Sequence, residues 1–405
     1  MGMRLVFWLS ALTVAYVYAG YPALLACWAH FWPRPTPPAA DAAGELPTVS
    51  IIVAARNEAA RLPARIENLL ALDYPADRRQ IIIVSDGSTD DTLDVLARFA
   101  GDVEAVAVPW CGKAASVNIA VARATGEILV FADARQMFAP DAVRELVAPF
   151  ADPAIGGVTG ELLLDCEGSS VAGRRVGIER RRTQAECRIG DHRGPERRLN
   201  IDRRGGTTST IAEGVGLYWK YEKQLRRWES RIASTLGATG AIYALRRVLY
   251  RPLPADTILD DVLTPMRAVL DGHRVVFSER AFAFDRAAAD AGAEQRRKVR
   301  TLAGNVQILA QEPRLLVPIL NPVWVQYISH KVGRLAVPWA LLALFTASLV
   351  LSEQHPIYAA ALFAQSALYL LGGYGAWLER QDTLRLRASA SSRAVARERI
   401  VSVGA

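Results

Sequence analysis

Apolar residues recur along this chain in three distinct rhythms, and each predicts a different kind of element. From Leu5 to Trp32 almost every position is uncharged, with Arg4 before the stretch and Arg34 after it. At about 1.5 Å per residue, that length crosses a bilayer core. A signal peptide is the competing reading; the length of the run and its interruption at Tyr21-Pro22 favour a membrane span. From Thr48 onward, short apolar runs alternate with amphipathic segments. Val49–Val53 and Ile81–Val84 are continuous β-branched runs, as in parallel strands covered on both faces. Glu58 to Leu72 between them predicts a helix, giving a right-handed βαβ unit whose ligand lies beyond the strand C-termini.

The alternation continues through a helix at Thr92–Ala100, a strand at Glu104–Val108, a helix at Ala114–Ala124 and a strand at Glu127–Phe131. A helix at Ala139–Phe150 and a strand at Val158–Leu164 complete a doubly wound α/β half. Asp165 to Ala212 has almost no apolar periodicity and is rich in Arg, Gly, Ser and acids, which reads as a largely disordered insertion. Order resumes with a helix at Val215–Thr235, strands at Ala241–Leu245 and Val275–Phe277, a helix from Ile258 to Leu270, and a basic helix at Glu294–Leu309. Leu315 to His330, bent by Pro318 and Pro322, suits an interfacial helix. The third rhythm, unbroken apolarity, returns at Leu335–Leu351 and Ile357–Leu378.

The expected organisation is therefore a membrane helix (1–33), a Pro/Ala-rich linker (34–47) and an α/β domain (48–311) carrying the disordered insertion (165–212). An interfacial helix with two membrane helices (312–378) and a cytoplasmic tail (379–405) complete it.

Composition sharpens this picture in one respect. Of 405 residues 51% are hydrophobic and the mean hydropathy is +0.13, high for a chain without membrane segments. The net charge of +7 is accounted for by loops obeying the positive-inside rule, since no nucleic-acid module is present and no nucleic-acid partner is expected. Lys331, Arg334, Arg380, Arg385, Arg387 and Arg393 flank the last two spans on one side, while Ser352–Pro356 between them carries no Lys or Arg. This places the N-terminus outside and the α/β domain inside, as three spans require. Four cysteines without a CxxC pair and five scattered histidines give neither a disulfide framework nor metal spacing, consistent with a reducing cytoplasm.

The strand ends carry the candidate chemistry. Ile81–Val84 runs into Ser85-Asp86-Gly87-Ser88, where a carboxylate accepts from a ligand N–H or caps the next helix. Glu58 follows the first strand and lines a pocket or stands as a first-turn helix acid. Lys113 follows Gly112 in a tight turn, and Asp133 closes the strand ending at Phe131. Asp260-Asp261 open a helix, with Thr257 as a possible N-cap.

Together, Val53-Ala54-Ala55-Arg56-Asn57-Glu58, Ser85-Asp86-Gly87-Ser88, Gly112-Lys113, Phe131-Ala132-Asp133, Asp260-Asp261 and Arg297-Lys298-Val299-Arg300 resemble, in order and spacing, the membrane-bound family 2 glycosyltransferases. Cellulose, chitin and hyaluronan synthases are among their relatives. The resemblance implies a GT-A fold, a Rossmann-like nucleotide-diphospho-sugar transferase domain, with N- and C-terminal transmembrane helices. It implies an inverting hexosyltransferase using a nucleotide sugar, UDP-linked by expectation, and a glycan or lipid-linked acceptor at the inner membrane among membrane lipids.

Residue by residue, the resemblance assigns Glu58, Asp86, Lys113, Asp133, Asp260 and Arg300 to the donor, Asp261 to the catalytic base and Gly240 to the acceptor segment. Asp133 would also hold Mg2+ or Mn2+. The usual DxD motif here reads Asp133-Ala134-Arg135, so one carboxylate is missing and Arg135 pairs with phosphate or with Asp133 instead. In the family's QxxRW motif, Arg297 replaces Gln and Thr301 replaces Trp, which argues against processive polymerisation. Two alternatives stay open: a polyprenyl-phosphate glycosyltransferase, whose acceptor needs no base, and a non-catalytic membrane scaffold retaining the fold.

Overall fold

The structure, a computed structural model, describes residues 1–34, 45–165, 210–286 and 291–403. Most of the expected linker and nearly all of the insertion expected over 165–212 lie outside the described residues. Two compact units are present, one formed by Met1–Ala23 with Val332–Ala405 and the other by Leu24–Lys331.

The larger unit is built on one mixed sheet of eight strands. They are β1 (Val49–Ala55), β2 (Arg79–Asp86), β3 (Glu104–Val108), β4 (Ile128–Asp133), β5 (Met137–Phe138), β6 (Ile155–Asp165), β7 (Ile242–Arg246) and β8 (Arg274–Arg286), in the order β3-β2-β1-β4-β7-β6-β8-β5. The β-branched runs form the parallel centre: Ile51 lies opposite Ile81, and Ile52 opposite both Ile82 and Phe131. Each of these isoleucines is essentially buried, and each contributes about 1.5–3 kcal/mol of apolar burial. The chain moves outward from β1 to β2 and β3, then returns to the other side of β1 as β4. Loops leaving β1 and β4 therefore diverge, opening the crevice in which such sheets bind ligands. β7 then runs antiparallel between β4 and β6, with Tyr243 opposite both Phe131 and Thr159.

Helices at Leu62–Leu70, Thr92–Arg98, Lys113–Arg123, Ala142–Val147, Thr210–Ile232 and Asp260–Leu270 lie between these strands in the chain, and a helix at Ala291–Gln311 follows β8. The first starts later than its amphipathic pattern suggests. The Glu58 carbonyl accepts the N–H groups of Arg61 and Leu62, so Glu58 belongs to the turn preceding the helix, which Pro63 then opens. Two sequence expectations need correction. Leu315–His330 is not one helix: a short 3-10 turn at Pro313–Leu316 is followed by a helical run from Trp324 that continues to Leu351. Pro318 and Pro322 break the segment rather than bend it. Thr257 does not cap the Asp260 helix; its hydroxyl reaches Gln311 and the N-cap position is Leu259.

Among the described residues three helical stretches are long and apolar enough to cross a membrane: Gly2–Phe31, Trp324–Leu351 and Pro356–Leu378. Within the smaller unit, Phe7 packs edge-on against Tyr358 at 4.7 Å, beside Ala347 and Leu351. Trp339, Phe363 and Leu370 point outward, each more than 70% exposed, which suits lipid-facing positions on a spanning helix.

Candidate active site

The C-terminal ends of β1, β2 and β3 each deliver one polar loop, and hydrogen bonds lock these loops together. Asn57 after β1 adopts a positive φ of 53° and accepts the Thr89 N–H through its side chain. The neighbouring Glu58 N–H donates to the Thr92 hydroxyl, and Glu58 pairs with Arg61 at 3.0 Å. Asp91 is the N-cap of the helix at Thr92, and Asp90, rather than Asp86, accepts the Thr92 N–H. That frees Asp86 for another task. Its carboxylate, 5% exposed, accepts the backbone N–H groups of Cys111 at 2.7 Å and Gly112 at 3.1 Å. Gly112 needs its φ of +88°, which favours glycine, to turn the chain into the helix that Lys113 begins. Asp86 thus sets the position of Lys113, and its two oxygens keep lone pairs for a further donor.

Lys113 stands at the centre of the crevice. Its Nζ lies 3.1 Å from Asp133 Oδ1 and 3.3 Å from Asp260 Oδ2. Burial lowers the lysine pKa, but Asp260, Asp133 and Asp261 outweigh it and hold the ammonium charged well above its ordinary range. Arg135 is exposed and Asp133 pairs with Lys113 instead, which settles which side chain faces the shortened DxD carboxylate.

Asp260 and Asp261 open the Asp260–Leu270 helix, where the dipole favours negative charge. Asp260 is 5% exposed. The loop ahead of them is held by the Ala291–Gln311 helix: Gln307 accepts the Ile258 N–H, and Arg300 donates to the Ile258 carbonyl at 3.2 Å. Arg300 is thereby placed on the exposed rim two residues before Asp260. Gly240 faces Asp261 directly; a Cβ there would meet Asp261 Oδ2 at 2.8 Å. Burial first, and then Asp260, push the Asp261 carboxyl up to about 6, against the opposing pull of Lys113 and Lys331.

Seven of the eight assigned residues thus form one connected group. Lys113 joins Asp133 to Asp260, Asp86 holds the turn before Lys113, Gly240 abuts Asp261, and Arg300 braces the Asp260 loop. Glu58 is tied to the neighbouring loop after β2 and makes its ion pair with Arg61. Ile52, Ala54, Phe131, Gly240, Asp260 and Lys113 line a small cavity between the loops. Sequence reasoning missed three groups. Arg226 donates to the Thr239 hydroxyl at 2.6 Å, Lys331 acts on Asp261, and Tyr243 stacks on Phe131 at 4.5 Å. Arg226 and Lys331 come from distant helices, so no local pattern marked them.

A divalent cation can be tested against this donor set. Among the described residues no three His, Cys, Asp or Glu side chains gather to hold a metal by themselves. Asp133, however, sits at a strand end, 30% exposed, and already holds one cation, the Lys113 ammonium. One carboxylate completed by phosphate oxygens and water fits the needs of Mg2+ or Mn2+.

Residues 50–196 match the model of glycosyl transferase family 2. A beta-monoglucosyldiacylglycerol synthase of Nostoc sp. is 34% identical over 121 residues, covering 28% of this chain and 26% of that protein. A poly-beta-1,6-N-acetyl-D-glucosamine synthase of Staphylococcus aureus is 29% identical over 139 residues, covering 33% of each. The chain thus spans about a quarter to a third of these curated relatives. Among solved structures, a mannosyltransferase from Pyrobaculum calidifontis in complex with GDP-Man and Mn2+ superposes with a TM-score of 0.63 at 23% identity, covering 92% of this chain and 94% of that one. The fold is GT-A.

Proposed function

We propose, for a chain that carries a family 2 glycosyltransferase segment on the GT-A fold, that it transfers a sugar from a nucleotide-sugar donor to a hydroxyl of a glycan or lipid-linked acceptor at the cytoplasmic face of the inner membrane. The observation that carries this reading is the meeting of Asp133 and Asp260 on one ammonium, beside an Asp261 whose carboxyl is pushed up to about 6. Two carboxylates arranged around a cation suit a diphosphate with its counter-charge. A third carboxyl poised near neutrality suits proton abstraction.

In this mechanism Asp86 and Glu58 flank the nucleoside, with Asp86 accepting a base N–H through its remaining lone pairs. Lys113 turns from Asp260 toward the donor's diphosphate, and Arg300 meets it from the rim. A divalent ion held by Asp133 would add further positive charge at the diphosphate. Asp261 takes the acceptor's hydroxyl proton as that oxygen attacks the anomeric carbon from the face opposite the leaving group, inverting the configuration. Charge accumulating on the departing nucleoside diphosphate is met by cations already in place. Gly240 keeps the acceptor side of Asp261 open, since any Cβ would press on its carboxylate. A polyprenyl-phosphate acceptor would leave the raised Asp261 without a task. The membrane placement is supported by three apolar spans and by the basic residues that flank them.

The test is release of nucleoside diphosphate by purified membranes offered UDP-glucose, UDP-N-acetylglucosamine and GDP-mannose in turn. Release from at least one donor, dependent on Asp261, supports transfer to a hydroxyl. No release from any of them ends the reading.

The pH response is also expected to be specific. With its carboxyl near 6 in the free protein, Asp261 is ionised above that pH and protonated below it. The kcat/KM for acceptor should be flat at neutral pH and fall about tenfold for each pH unit below this point. A limb near pH 4, the range of an ordinary carboxylate, would exclude Asp261 as the base.

A further inference from the structure

Tyr243 occupies a costly position that the mechanism above leaves unexplained. It sits on β7, 1% exposed, with its ring stacked on Phe131 at an interplanar angle of 13°. Its hydroxyl is buried and has no hydrogen-bond partner among the described residues. A phenylalanine would fill the same space without stranding a donor, since a buried unpaired hydroxyl destabilises the fold. Phe131 is also a wall of the small cavity that Asp260, Gly240 and Lys113 line. Burial, and then the charges of Asp260 and Asp261, hold the Tyr243 hydroxyl protonated well above its ordinary range. Stacked on one wall of that cavity, it is a proton donor one ring removed from Asp260. Tyr250, the other tyrosine stacked on Phe131, is not in this position, because its hydroxyl is engaged by Asn118 at 2.7 Å.

Asp260 has the complementary need. Among the described residues it pairs with Lys113 alone, through Oδ2. Lys113 also serves Asp133, and in the mechanism proposed above its ammonium turns from Asp260 to the diphosphate. A carboxylate 5% exposed and stripped of its cation requires a new donor.

We propose that Tyr243 is a positioning residue whose hydroxyl donates to Asp260 when Lys113 turns to the donor diphosphate, holding the Asp260-Asp261 turn in place for proton abstraction. The inference rests on the transferase reading and deepens it. The Tyr243 hydroxyl is idle in the donor-free molecule because Lys113 does its work, and it becomes engaged only in the loaded site.

Three measurements on the full-length protein in membranes test this, using whichever of UDP-glucose, UDP-N-acetylglucosamine and GDP-mannose the wild type consumes. Tyr243→Phe is expected to lower kcat about tenfold, the loss of one hydrogen bond to a charged group, with donor KM within about twofold. In an Asp260→Asn background, which removes the carboxylate the hydroxyl serves, the same change should cost less than about twofold more. The thermal midpoint of Tyr243→Phe should equal or exceed that of the wild type, because an unpaired buried hydroxyl is removed. An unchanged kcat, a donor KM that rises instead, equal losses in both backgrounds, or a midpoint lowered by several degrees would each overturn the proposal while leaving the transferase reading intact. A wild type inactive on every donor overturns both.

Discussion

Asp261→Asn is expected to reduce sugar transfer by about 10²–10⁴-fold, the range in which a positioned general base contributes, while nucleotide binding by calorimetry stays unchanged. The substitution preserves shape and removes only the capacity to take a proton. Its effect on stability should have the opposite sign to its effect on activity. The carboxyl is raised from 3.8 to about 6 by burial and by Asp260. A carboxyl raised on folding favours the folded state most below the lower value, and that advantage is lost as pH rises through the upper one. At neutral pH the ionised Asp261 is therefore a burden to the fold, and the asparagine variant should melt no earlier than the wild type. Full transfer in Asp261→Asn would exclude the base and point to an acceptor that arrives already ionised, such as a lipid phosphate.

Lys113→Met should be nearly as damaging, for a different reason. It removes the cation shared by Asp133 and Asp260, leaving like charges facing one another across the crevice. Loss of a fixed cation at a developing anionic leaving group costs about 10²–10³-fold in turnover, and donor affinity falls as well because the diphosphate loses a partner. Lys113 is one of the groups holding the Asp261 carboxyl down, so its removal should move the acidic limb of any residual activity to a pH above 6. Unlike Asp261→Asn, this variant should also melt several degrees earlier, since the buried Asp260 loses its ion pair with Lys113. A Lys113→Met protein with normal donor KM would exclude the lysine from the diphosphate site.

Much of this could be read in the chain itself, where one residue type does one job. Val49–Val53 and Ile81–Val84 announced buried parallel strands because only such strands tolerate apolar side chains on both faces. The Gly112-Lys113 turn was visible because a positive φ leaves glycine as the economical residue. Asp133 and Asp260-Asp261 stood out as carboxylates at element ends, and the order of motifs identified the fold that the superposed mannosyltransferase shares.

What escaped notice depends on contacts between distant segments. Met137–Phe138 is too short for any period to mark, and it becomes a strand only because β8 offers a free edge at Ala283 and Phe284. The helical run from Trp324 to Leu351 was underestimated, since Lys331 and Arg334 interrupt the apolar pattern without interrupting the helix. Asp86 was assigned to a ligand or a helix cap, whereas its immediate partners are the backbone N–H groups of Cys111 and Gly112. That link joins residues 25 and 26 positions apart in sequence, beyond the reach of any local pattern. Tyr243 lies in the strand expected at Ala241–Leu245, and only the lack of a hydroxyl partner among the described residues separates it from a phenylalanine.

The two carboxylates sharing Lys113 also bear on how a catalytic cycle ends. A lysine with nowhere else to go would cling to the spent nucleoside diphosphate, and turnover would stall behind it. In the proposed transfer Asp133 and Asp260 would reclaim the ammonium, so the leaving nucleotide would be exchanged for a waiting partner rather than torn from a bare charge. The grip that readies the site for a donor would thereby weaken its hold on the by-product.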